Sequence, residues 1–229
     1  MSTLGPRAAV FGASGAIGAA LADGLAARGV AQLYRLTRAD ADIRDDATLA
    51  DLAARVGAEG SLDTVIVATG LLHGPGIAPE KALRDLRADV LAQVFAVNCI
   101  GPALVMKHFL PLLPRDRPAR LAVLSARVGS ISDNRLGGWY AYRAAKAALN
   151  MVVRNAAIET ARRAPQAVVL TLHPGTVESP LSAPFHGGVP AAQIISPVLA
   201  AKSIIDVLEA VRPEQSGKFL AYDGQEITP

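Results

Sequence analysis

Short apolar runs alternate with helix-patterned stretches along the whole 229-residue chain. Strands are expected at Arg7–Phe11, Gln32–Leu36, Thr64–Ala68, Arg120–Leu124, Ala167–Leu172 and Phe219–Tyr222. Helices are expected at Ala16–Arg28, Asp46–Val56, Ala82–Leu91, Gly101–Leu113, Trp139–Arg163 and Pro197–Val211. A strand that reads as a continuous apolar run is buried on both faces, because an exposed face would show alternating polar residues. Such strands, separated by helices, describe an α/β chain with a doubly wound parallel sheet and helices on both faces. Ligands of these sheets bind beyond the carboxyl ends of the strands. The candidate functional residues below all lie just after a strand or on the helix that follows one.

Half of the chain is hydrophobic and 19% is charged, so residues 1–229 are expected to form one domain with a large core. The net charge of +3 is small and scattered, with no run of five like charges, which argues against a nucleic-acid surface. A single cysteine, Cys99, excludes an intrachain disulfide and reads as a buried, inert thiol. No apolar run of membrane-span length is expected, and the residues before Arg7 are too few for a cleaved leader. The expectation is a cytoplasmic protein with no membrane partner. His73, His108, His173 and His186 are scattered without a carboxylate cluster, so no metal site is expected.

The first strand runs into a glycine turn, Gly12-Ala13-Ser14-Gly15-Ala16-Ile17-Gly18, and then a helix. Glycines there allow a tight turn and let the backbone approach a pyrophosphate seated on the helix N-terminus. This is the entry to a Rossmann-type nucleotide site. The second strand ends in Thr37 and Arg38, where an NAD-preferring site has an acid for the ribose 2′-hydroxyl. A guanidinium at Arg38 suits a 2′-phosphate instead. Asp42, followed by Ile43, either accepts from an adenine amino group or caps the helix that begins near Asp45. The third strand ends in Ala68-Thr69-Gly70, where Gly70 lets the chain pass close to a cofactor ribose.

Tyr142 and Lys146 stand one helical turn apart and so face the same way. An ammonium beside a phenol favours the phenolate, pulling the tyrosine toward the range of a general acid. Ser125 ends an apolar run shortly before this pair, and Asn98 opens an apolar helix, a place asparagine fills as an N-cap. The stretch Ser179–Ser196, rich in proline and glycine, reads as a flap over a site.

In this order, the glycine turn, Ala68-Thr69-Gly70, Asn98, Ser125, Tyr142 with Lys146, and His173-Pro174-Gly175-Thr176-Val177 resemble the short-chain dehydrogenase/reductase family over essentially the whole chain. Ser125–Ile131, Gly137–Arg143 and Gly217–Gly224 resemble its C-factor and sniffer-type carbonyl reductase subgroup. The resemblance implies hydride transfer between a nicotinamide and a carbonyl carbon of a small molecule. It implies Tyr142 as the proton donor, Lys146 as its pKa-lowering partner and a ribose contact, a serine orienting the carbonyl, and Asn98 holding a water that links Lys146 to solvent. Pro174, Gly175, Thr176, Val177 and Ser179 would surround the nicotinamide carboxamide. NADP(H) rather than NAD(H), and a homodimer or homotetramer built through the helix after Asn98 and the tyrosine-bearing helix, complete the expectation. Three positions depart from the family pattern: Phe11 replaces a threonine, Thr69 an alanine after asparagine, and Ala126 the second of two serines. Ser125 is the first candidate for the orienting hydroxyl and Ser130 the second. A C-factor-like nucleotide-binding signalling protein is the competing expectation.

Overall fold

The computed structural model describes residues 4–188 and 190–229. The elements are β1 (Arg7–Phe11), α1 (Ala16–Ala27), β2 (Gln32–Leu36), α2 (Asp46–Ala58), β3 (Thr64–Val67), α3 (Ala88–Phe95), α4 (Gly101–Phe109), β4 (Ala119–Leu124), α5 (Tyr140–Ala161), β5 (Ala167–His173), β6 (Thr176–Val177), β7 (Ile194–Ile195), α6 (Pro197–Ala210) and β8 (Phe219–Ala221). Six strands pair in the order β2-β1-β3-β4-β5-β8, every pair parallel. The chain steps from β1 outward to β2 and returns to β3 on the other side of β1. That reversal is the switch point where such sheets bind ligands.

Strand periodicity divides the core into two. Ala9, Phe11, Val65, Val67, Leu121 and Val123 pack with Leu49, Phe109, Leu149 and Val153 from α2, α4 and α5. Ala8, Val10, Ile66, Ala122 and Leu124 face the other way, onto Leu21 and Leu25 of α1 and Ile204 and Leu208 of α6. Phe11 meets Phe109 edge-to-face with ring centroids 4.8 Å apart.

The helix expected at Ala82–Leu91 starts late. Asp85 accepts from the Ala82 N–H and closes a short 3-10 turn over Leu83–Asp85, and α3 begins only at Ala88. Asn98 does not open a helix either. It sits in a π-helical turn, Ala96–Ile100, that joins α3 to α4. Its Nδ2 donates to the Val94 carbonyl at 3.0 Å, so a side chain enters the helical ladder and widens it. The joined stretch Ala88–Leu112 is 25 residues long and apolar enough to cross a membrane by length and composition, contrary to expectation. Val94, Val105 and Phe109 of this stretch are buried in the fold.

The segment after β5 turns back over the strand ends. Its short strands β6 and β7 pair with each other, bracketing the expected flap, of which Val189 lies outside the described residues.

Candidate active site

Two cavities open beyond the carboxyl ends of the strands. The first, about 420 Å³, is lined by Gly12, Ser14, Gly15, Thr37, Arg38, Asp42, Ile43, Ala68, Thr69 and Gly70, all expected cofactor residues. Gly12 has φ +81°, and a Cβ there would lie 3.0 Å from the Ala68 carbonyl. Gly18 does not line the cavity, but a Cβ on it would fall 2.1 Å from the Gly12 carbonyl oxygen. The glycines thus fold the turn flat against α1, as the fingerprint requires. Ala16 also stays outside both cavities, while Ile17 lines the second. No side chain caps α1 at Gly15 and no acid occupies its first turn, which leaves the helix N-terminus suited to an anion. The Thr69 hydroxyl is buried in this region without a hydrogen-bond partner among the described residues. The cradle therefore fits a dinucleotide. Gly70 is less constrained than expected: a Cβ there would meet Asn98 Oδ1 only at 3.6 Å.

At the adenosine end, Thr37 is bound by Asp40, whose carboxylate accepts from the Thr37 N–H at 2.7 Å and its hydroxyl at 2.9 Å. Arg38 is exposed at the rim. Asp42 does not cap the following helix; Asp45 does, accepting from the Ala47 and Thr48 N–H groups. Instead Asp42 accepts from Arg44 Nε at 2.9 Å, and that guanidinium holds its carboxyl down at about 2. Arg44 lines the cavity too and was not anticipated.

The second cavity, about 430 Å³, is lined by Ser125, Tyr142, His173, Pro174, Gly175, Thr176, Val177 and Ser179 together with flap residues Leu181 and Phe185. Tyr142 is 8% exposed and Ser125 is 4% exposed. The Ser125 hydroxyl has no partner among the described residues, whereas Ser130 donates to the Thr228 carbonyl and accepts from the Asp133 N–H. Ser125 thus presents an unengaged hydroxyl in the cavity, while that of Ser130 is engaged with the C-terminal residues. Ser125→Ala should lower turnover more than Ser130→Ala, with cofactor binding kept in both; steady-state rates beside cofactor titrations check this, and the reverse order would discard Ser125.

Lys146 lies behind Tyr142, lining neither cavity. Its Nζ sits 5.7 Å from the Tyr142 ring centroid and donates to the Leu124 carbonyl at 2.9 Å. The tyrosine is not pulled toward neutrality by the chain's own groups. Burial pushes it up to about 12 and pushes Lys146 down to about 8, because desolvation penalises both charged forms. The expected Coulomb effect loses to burial here. Asn98 clamps the chain after β3: its Oδ1 accepts from the Leu71 N–H at 3.1 Å and its Nδ2 donates to the Leu71 carbonyl at 2.7 Å. His173 Nδ1 is buried without a partner among the described residues, and burial drops this histidine to about 4, so it is neutral near pH 7. Ser179 and Val177 are already engaged by Ser182, through Ser179 Oγ at 3.1 Å and the Val177 carbonyl.

The start of α5 is held by groups that local pattern does not reveal. Gly137, Gly138 and Trp139 are consecutive residues with positive φ, Trp139 at +51°. Such a conformation in a tryptophan needs support from its surroundings. Glu80, 5% exposed, supplies it: its carbonyl accepts from the Trp139 N–H at 2.6 Å and its carboxylate from the Ala141 N–H at 3.2 Å. A carboxylate at a helix N-terminus also suits the helix dipole. Trp139 then packs on Phe185 of the flap and on Tyr142, with centroids 4.9 and 6.4 Å away.

A family model described as enoyl-(acyl carrier protein) reductase matches residues 12–212. The chain belongs to the short-chain dehydrogenase/reductase family. As a short-chain dehydrogenase/reductase it is an NAD(P)-dependent oxidoreductase. The C-signal of Myxococcus xanthus is 36% identical over 146 residues, 64% of this chain and 82% of that protein. A 1-hydroxy-2-glutathionyl-2-methyl-3-butene dehydrogenase of Rhodococcus sp. (strain AD45) is 33% identical over 184 residues, 80% of this chain and 76% of that one. The carbonyl reductase Sniffer of D. melanogaster shares the fold, with TM-score 0.80 at 18% identity, covering 98% of this chain and 99% of its own. The NADPH-bound carbonyl reductase from chicken fatty liver does so with TM-score 0.79 at 21% identity, over 98% and 99% of the two chains. The sequence relatives set the chain beside the C-signal within the family, and the two carbonyl reductase structures share its fold.

Proposed function

We propose that this oxidoreductase reduces a carbonyl group of a small molecule, using NADPH. The observation that carries the reading is that Tyr142 and Ser125 line one cavity, neither hydroxyl taken by a hydrogen bond among the described residues. Two free hydroxyls over a largely apolar cavity can bind one carbonyl oxygen, Ser125 orienting it and Tyr142 giving it a proton. A bound reduced nicotinamide would supply the hydride. Tyr142 is fully protonated near pH 7, as a proton donor must be. Lys146, fixed to the Leu124 carbonyl, keeps the tyrosine's helix in register with the strand that delivers Ser125. Asn98 holds Leu71 beside the first cavity through both amide atoms. Oxidation of NADPH against a panel of aldehydes, ketones and quinones tests the reading, and a chain that turns over none of them would not fit it.

The preference for NADPH rests on Arg38 at the cavity rim and on Asp40, the nearby acid, being bound to Thr37. The NADPH-bound chicken liver carbonyl reductase and an NADP-bound structural neighbour support the same choice. Arg38→Ala should weaken NADPH binding by about tenfold, the worth of one charge-assisted contact, and leave NADH nearly unchanged. Equal affinity of the unaltered protein for the two cofactors would remove the basis of this choice. Association into a homodimer or homotetramer through α4 and α5 is part of the reading, supported by exposed Ile100 beside α4 and exposed Met151 and Ile158 on α5.

A further inference from the structure

The cavity in front of Tyr142 combines two chemically distinct kinds of lining. Its walls are apolar, with Leu72, Trp139, Leu181 and Phe185. Its lining also includes Arg127, Arg135 and Arg143, against one carboxylate, Asp133. Asp133 pairs with Arg127, NH1 to Oδ2 at 3.4 Å. Arg135 and Arg143 have no carboxylate within ion-pair distance among the described residues. Arg135 NH1 donates to the Ser132 carbonyl at 2.9 Å. Arg143 donates from Nε to the Gly137 and Gly138 carbonyls at 3.2 and 3.1 Å, and from NH1 to the Val128 carbonyl at 3.2 Å. All of these acceptors are neutral, so both positive charges stand uncompensated. Arg143 is half-buried and held at three points, which fixes its planar fork before any ligand arrives.

We propose that the substrate is a carbonyl compound with an apolar body and a carboxylate set apart from the reacting carbon, the carboxylate being received by Arg143 with Arg135 adding to the field. A guanidinium matches a carboxylate geometrically, and low-dielectric walls strengthen the attraction. The apolar body fits the aromatic and aliphatic lining that shares this cavity with the arginines and Tyr142. This proposal rests on the carbonyl-reductase reading, but its test need not.

The test uses Trp139, the chain's only tryptophan, which lines the same cavity. Its emission is followed while the NADP⁺-saturated protein is titrated with para-formylbenzoate and, separately, with its methyl ester. The acid is expected to bind about tenfold more tightly than the ester, as for one charge-assisted pair, with the difference shrinking in high salt. Arg143→Gln should abolish the preference, and Arg135→Glu, a change on the exposed rim that spares the Arg143 clamp, should reverse or erase it. Equal affinities for acid and ester, no binding of the acid, or a preference that survives both substitutions would overturn the proposal. Turnover of the two aldehydes is measured alongside. Tight binding of the acid, with no reduction of it or of any carbonyl in the panel, would leave the anion site standing and sink the reductase reading. Reduction of both aldehydes with equal affinity would do the opposite.

Discussion

Tyr142→Phe should leave a folded, NADPH-binding protein that has lost carbonyl reduction by about 10²–10⁴-fold, the usual contribution of a positioned general acid. The substitution removes one oxygen from a side chain that is 8% exposed and makes no hydrogen bond among the described residues. Its ring contact with Trp139 is kept, so the melting temperature should hold or rise. Tyr140→Phe is the internal control. Tyr140 does not line the cavity, and the residue four positions on is Ala144 rather than a lysine. Steady-state reduction by the two variants, side by side on one aldehyde, decides the matter. Near-normal rates in Tyr142→Phe would withdraw the mechanism built on this hydroxyl.

Lys146→Met should abolish reduction and, at pH 7, raise the stability of the fold. Lys146 is 2% exposed, and burial lowers it from 10.5 to about 8. Between those values the unfolded lysine carries a proton that the folded one has released. Stability from this group is therefore fully present above about 10.5 and is lost as pH falls through about 8. At pH 7 the burial cost is on the order of 3 kcal/mol, at about 1.36 kcal/mol per unit. The Leu124 carbonyl loses its lysine donor in the variant, which returns about 1 kcal/mol of that gain. Thermal melts at pH 7 and pH 10 should show an advantage for methionine that shrinks as pH rises. Tyr142 shifts the other way, from 10 to about 12, so its contribution is present below pH 10 and fades above it in both proteins. A methionine variant less stable than the parent at pH 7, or an advantage that grows with pH, would refute the claim that this ammonium is held against its preference.

The parts of the site that local pattern encodes could be read from the sequence. The glycine turn, the end of β2 and the Tyr142–Lys146 spacing each lie within a few residues of chain, and periodicity places them on one end of one sheet. The family order extended that reading to Ser125 and to Pro174–Val177. What escaped depends on contacts between distant segments. Glu80 reaches Ala141 across 61 residues, and nothing in Pro79-Glu80-Lys81 announces a cap for another helix. Asn98 looked like a helix start because an N-cap and a π-turn insertion both favour a side chain that bonds backbone. The bonds that distinguish them, donated to the Val94 and Leu71 carbonyls, appear only in the fold. The shift of Tyr142 runs opposite to the expectation because a neighbouring charge is visible in sequence and the depth of burial is not.

The flap joins the two sides of the molecule: its Leu181 and Phe185 share a cluster with Ala141, Tyr142 and Ala145 of α5, and its chain runs on into α6. α5 packs with α2 and α4 on one face of the sheet, whereas α6, which receives the flap, packs with α1 on the other. Substitutions that loosen or retighten α1 and α6 would therefore reach the chamber roof through the flap and, through Phe185 and Trp139, the start of α5.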